Sequence, residues 1–132
     1  YKFILSFFMD SKYLTGYHFT QQLSGYKWAL RSIWSKNILR LAPPTPFPTA
    51  LTCTISNPQK IFFHPDDIRN FQSEGTFFQN IDAPITIGKG SYIAKNVGII
   101  TTNHDLTNLK NHIEGREVII GEDCWIGMGA II

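Results

Sequence analysis

The last third of the chain, Ile81 to Ile132, returns an aliphatic residue at every sixth position in two separate runs. Ile81, Ile87, Ile93 and Ile99 make the first, and Ile120, Ile126 and Ile132 the second. Neither the helical period of 3.6 nor the strand period of 2 alone produces that spacing with a small residue at a fixed offset. It predicts a solenoid of flat, three-sided coils. The first and fifth residues of each six point inward, and Gly, Asp or Asn near the corners accepts the sharp bends. Five units follow this grammar: Ile81–Thr86, Ile87–Tyr92, Ile93–Gly98, Ile120–Trp125 and Ile126–Ile131. Coils of this kind stack Ile over Ile at ~4.8 Å, and each buries its core only when neighbours cover it.

Between the two runs lies an excursion, residues 103–117, that opens with Asn103-His104-Asp105. Function gathers on loops held by rigid elements, so this is where chemistry is expected. Upstream, Leu23, Tyr26, Leu30, Ile33, Trp34, Ile38 and Leu41 fall at three- and four-residue steps, which predicts an amphipathic helix from Gln21 to Leu41. Lys27, Arg31, Lys36 and Arg40 form its charged side, and Pro43, Pro44, Pro46 and Pro48 end it. Such a helix either packs its aromatic stripe on the rest of the protein or a neighbouring subunit, or lies on an anionic membrane surface.

Leu51 to Ile55 reads as a strand, and Phe71 to Asn80 as an irregular segment with an entry strand. His64-Pro65-Asp66-Asp67 is a cluster of metal-ligand types, but no third or fourth ligand converges on it. Acids near the first free amides of a helix explain it better. The organisation expected is an N-terminal helical and Pro-rich segment, 1–50, followed by the repeat domain, 51–132.

Composition narrows the function. A formal net charge of +2 argues against a dedicated nucleic-acid binder. Cys53 and Cys124 form no framework and no C-x-x-C pair. Both read as buried thiols in a reducing, cytoplasmic setting. No apolar run approaches the ~20 residues that span a bilayer, and the apolar opening lacks the features of a secretory signal. A first residue other than Met and an ending inside the repeat suggest a fragment lacking C-terminal coils.

Over residues 81–132 the chain resembles the hexapeptide-repeat acyltransferases, whose fold is mainly β, a left-handed parallel β-helix. Asn103-His104-Asp105 and Ile120-Gly121-Glu122-Asp123-Cys124-Trp125-Ile126-Gly127 are similar to the sugar and polysaccharide O-acetyltransferase branch, which includes maltose and galactoside acetyltransferases. The segment through Phe62-Phe63-His64-Pro65-Asp66-Asp67 resembles the front of capsule-type members. The resemblance implies acetyl-coenzyme A as co-substrate, a sugar or glycan hydroxyl as acceptor, and a homotrimer with sites between subunits.

Transfer from a thioester to a hydroxyl needs a base for the hydroxyl proton, and imidazole suits this near neutrality. His104 stands where the family places its catalytic histidine. No Ser or Cys nucleophile motif competes, which favours direct transfer. Glu114, rather than the adjacent Asp105, is the expected orienting partner by resemblance. Met128 maps to the amide that meets the oxyanion. Asn103, Asp105 and Trp125 are expected at the substrate. Gamma-class carbonic anhydrases, another β-helix branch, bind zinc through three histidines. His18, His64, His104 and His112 supply the number here but not that class's close histidine pair, so no metal is expected. The alternative to an enzyme is a non-catalytic scaffold or degenerate paralogue.

Overall fold

The aliphatic and aromatic segments of residues 54–126 become eight strands of two or three residues. In the computed structural model, which describes Tyr1–Ile132, every one of them pairs in parallel with a strand from a distant part of the chain. β1 (Thr54–Ile55), β3 (Phe77–Gln79) and β6 (Gly98–Ile100) form one sheet. β2 (Ile61–Phe62), β4 (Ile85–Ile87) and β7 (Val118–Ile120) form a second. β5 (Tyr92–Ile93) and β8 (Trp125–Ile126) form a third. The registers set Ile87 beside Ile120 and Ile93 beside Ile126.

The expected mainly-β, left-handed parallel β-helix is therefore corrected. The strands lie in three small separate sheets rather than a closed solenoid, and helices occupy much of the N-terminal third, giving a small mixed α/β domain. The period of six sets which residues face inward along a segment. It does not set strand length or a distant partner. β1, β2 and β3 come from segments without the repeat.

Ile85, Ile87, Ile93, Val97, Ile99 and Ile120 are buried. Ile81 is exposed, and the neighbouring Asn80 is buried in its stead. Asn80 accepts from the Asn57 amide at 2.8 Å and donates to the Asn57 carbonyl at 2.7 Å, which satisfies an otherwise costly buried amide. Asn70 braces in the same way, donating to the Ser91 carbonyl at 2.9 Å and accepting from the Ile93 amide at 3.1 Å. Where backbones come closest only glycine fits: a Cβ on Gly88 would stand 2.4 Å from the carbonyl of Gly121.

The N-terminal segment holds α1 (Lys2–Leu5), α2 (Tyr17–Thr20) and α3 (Ser24–Ser32). The single helix expected over 21–41 is shorter and changes form. α3 continues as a π-helix, Ile33–Ile38, in which the Leu39 amide donates to the Trp34 carbonyl five residues back. Phe47, Phe71 and Phe78 are fully buried in a run of ring contacts, each contributing roughly 1.5–3 kcal/mol by burial. They belong to one apolar cluster that runs from Leu5 and Phe19 to Ile99 and Ile120. No helix is long and apolar enough to cross a membrane.

The strand expected over Leu51 to Ile55 is limited to Thr54–Ile55. Pro65–Gln72 forms a 3-10 helix with Asp66 and Asp67 in its first turn, and the ring of His64 accepts from the Asp66 amide. Asp66 also accepts from the Tyr17 amide, while Asp67 accepts from the Gly90 amide and pairs with Arg69 at 3.1 Å. These acids tie elements together. Cys53 is buried, and burial pushes its thiol up to about 11. Cys124 is only half-buried, because it sits beside the edge strand β8.

Candidate functional site

The excursion 103–117 grows out of a braced platform. Thr101 and Thr102, just after β6, are buried. The carboxamide oxygen of Gln79 accepts from both of their amides, at 3.1 and 3.2 Å, and its nitrogen donates to the Thr102 carbonyl. The Thr102 hydroxyl donates to Asp82 at 3.1 Å. A Cβ on Gly115 would stand 2.6 Å from that hydroxyl, so the returning arm passes close to the same platform.

Beyond this platform the chain folds back on itself as a hairpin. The Ile113 amide donates to the Asn103 carbonyl, the Asp105 amide donates to the Asn111 carbonyl, and His104 and His112 sit opposite each other in an antiparallel bridge. Asp105 shapes the tip by accepting from the Thr107 amide at 2.8 Å and the Thr107 hydroxyl at 2.6 Å. The hydroxyl bond and then the amide bond hold the Asp105 carboxyl below its usual range. The return leg rejoins the frame when the Arg116 amide donates to the Thr101 carbonyl and the Val118 amide to the Pro84 carbonyl.

His104 lies exposed on this hairpin, its ring 4.4 Å from that of His112 between centroids. Its Nδ1 stands 2.9 Å from the Leu109 carbonyl. A carbonyl only accepts, so Nδ1 carries the proton in the neutral ring. The Nε2 lone pair is then left for a proton from outside. That is the tautomer a general base requires.

The other site residues expected from the sequence are spread around the hairpin. Asn103 and Glu114 line a hollow of about 330 Å³ with Arg116 and Glu117, and His104 is not on its wall. Glu114 makes no hydrogen bond to His104; the Leu109 carbonyl holds that place. Asp105 is engaged with Thr107 rather than with the neighbouring imidazole. Trp125 projects from β8 beside Tyr92, 82% exposed. Met128 follows in the next turn, is exposed, and its amide makes no hydrogen bond within the chain.

Sequence reasoning did not single out Gln79, Thr102 or Asp82. A polar residue closing an aromatic strand, as Gln79 does after Phe77-Phe78, was the available signal. The Leu109 carbonyl has none, because a backbone acceptor is present at every residue. His18 and His64 lie apart from the hairpin, packed on Trp28 and capping the Pro65–Gln72 turn. No three His, Cys, Asp or Glu side chains converge as metal ligands.

No family model matches the chain, and no solved structure matches it at a significant level. A protein of Dictyostelium discoideum named "Putative acetyltransferase" is 36% identical over an alignment that covers 58% of this chain and 47% of that protein. The chain thus spans about half the length of that curated relative.

Proposed function

We propose that the chain belongs to an enzyme that transfers an acetyl group from acetyl-coenzyme A to a hydroxyl, with Nε2 of His104 as general base. The observation that carries this reading is the hydrogen bond from Nδ1 to the Leu109 carbonyl, which in the neutral ring leaves the Nε2 lone pair free on an exposed side chain. The likeness to a protein named as an acetyltransferase supports acetyl transfer as the reaction class. The motif Asn103-His104-Asp105 supports a sugar or glycan hydroxyl as the acceptor.

In this reaction the acceptor oxygen attacks the thioester carbonyl while Nε2 takes its proton. The oxyanion that forms is met by an amide donor, for which the unpaired amide of Met128 is suited. Collapse breaks the carbon–sulfur bond, and the imidazolium returns the proton to the departing sulfur. Trp125 offers an exposed ring against which an acceptor or the donor's arm packs. Since His104, Trp125 and Met128 are all open to solvent, a second copy is the natural source of the missing wall, in keeping with a homotrimer.

The test is release of coenzyme A thiol from acetyl-coenzyme A in the presence of hydroxylated acceptors. His104→Ala lowers the rate by about 10²–10⁴-fold, while its unfolding free energy stays within about 0.5 kcal/mol of the parent because the side chain is exposed. Undiminished turnover in the purified variant would overturn the assignment. Donor binding by calorimetry without any turnover would favour a non-catalytic role.

A further inference from the structure

The N-terminal segment leaves a large apolar surface uncovered. Tyr1, Ile4, Leu5, Leu23, Tyr26 and Leu30 line an apolar groove of about 690 Å³. Phe3 and Phe7 stand next to it, each more than 70% exposed. The helix explains how this arises, since it carries two apolar faces. Ala29 and Ile33 turn into the core, while Leu30, Trp34 and Ile38, spaced four apart, face outward with Leu23 and Leu41. Lys27 and Arg31 lie three residues before Leu30 and Trp34, on that same outward side.

Charge is distributed to match. Residues 1–65 contain seven of the twelve basic side chains and one acid, Asp10. Asp10 is itself 3.9 Å from Lys12. Residues 66–132 hold the other nine acids and five bases. Four exposed cations, Lys2, Lys27, Arg31 and Arg40, lie in the segments that carry this apolar face.

We propose that this face docks on an anionic membrane surface. Leu30, Trp34 and the aromatic N-terminal segment enter the boundary between headgroups and acyl chains. The four cations remain at the level of the lipid phosphates and carboxylates. Tryptophan favours that boundary because its ring is apolar and its N–H polar. A symmetric contact with a second copy is disfavoured, since a two-fold axis sets the same patch against itself and brings like charges together. The docking is independent of the acetyl-transfer reading.

Co-sedimentation of the chain with phosphatidylcholine vesicles containing about one-third phosphatidylserine, against pure phosphatidylcholine vesicles, tests the proposal. Binding is expected to the anionic vesicles alone and to weaken with salt. Each cation contributes about fivefold to partition, so Lys27→Glu with Arg31→Glu lowers it by about 25-fold or more. Leu30→Ser with Trp34→Ser removes binding while the far-ultraviolet dichroism is unchanged. Quenching of tryptophan emission by brominated lipid in the parent protein decides the matter even if a variant fails to fold.

Equal binding to neutral vesicles, no binding at all, or no quenching would overturn the proposal. So would concentration-dependent self-association in sedimentation velocity that Leu30→Ser with Trp34→Ser abolishes, since the face would then belong to a second copy.

Discussion

The frame of residues 57–102 and the hairpin of residues 103–117 are neighbours in sequence but are held together by opposite means. In the frame, side chains carry the bracing: Asn70, Asn80 and Gln79 are buried or half-buried and each bonds to the backbone of a segment 20 or more residues away. In the hairpin, main-chain bonds and short local turns do the holding, and the side chains stay in solvent. The difference separates stability from chemistry. A change in the frame should cost folding free energy before it alters the imidazole. A change in the hairpin should do the reverse.

The strongest challenge to that division is Gly88→Ala. Its new Cβ would lie 2.4 Å from the Gly121 carbonyl, backbone against backbone, where no side chain can yield. A loss of about 3 kcal/mol is expected in urea unfolding, and a loss under 1 kcal/mol would show that the two backbones separate easily. Next is Asn70→Ala, which strips partners from the buried Ser91 carbonyl and Ile93 amide. It should cost about 2 kcal/mol in the same assay.

Gln79→Ala sharpens the boundary itself, because Gln79 is a frame residue whose bonds end at the root of the hairpin. We expect about 1–2 kcal/mol of destabilisation together with faster amide exchange at Thr102, since the Thr101 amide keeps the main-chain carbonyl of Gln79. Unchanged exchange there would mean that the hairpin's root does not depend on the frame.

The inward positions of the frame were legible because Ile85, Ile87, Ile93 and Ile99 sit at positions that side-chain volume and hydropathy alone select. The architecture was not. Parallel pairing of Ile61 with Ile85, or of Phe77 with Gly98, joins segments that share no repeat, and nothing local in either one names the other. The outer ends of the pattern also loosen: Ile81 yields its place to Asn80, and Ile126 and Ile132 lie on or beyond the edge strand β8.

Of the candidate site, the placement of His104 on an excursion was readable from the interruption of the period. Its partner was not, because the hydrogen bond ends on a main-chain oxygen. Glu114, the partner that the resemblance implied, lines a hollow whose wall excludes His104, and the adjacent Asp105 is held by Thr107.

The smallest expected effect compares the scaffold and the hairpin by acid alone. His18, packed on Trp28 beside the frame, has its pKa lowered, first by burial and then by the Arg69 guanidinium. Asp105 in the hairpin has its pKa lowered by its bonds to Thr107. Both groups bind protons more weakly folded than unfolded, so the unfolded chain gains protons first and stability falls as pH falls. The windows differ because the unfolded references differ, about 6.5 for His and about 3.9 for Asp. The contribution of His18 is complete above its unfolded value and fades as pH drops through its lower folded one. That of Asp105 persists until the pH falls below the ordinary carboxylate range. Denaturation midpoints between pH 7.5 and 3 should therefore show a first fall that His18→Gln removes, whereas Asp105→Asn should trim the later fall only slightly, because water screens that exposed carboxylate. A first step that survives His18→Gln would assign early acid sensitivity to another group and remove this distinction between the two regions.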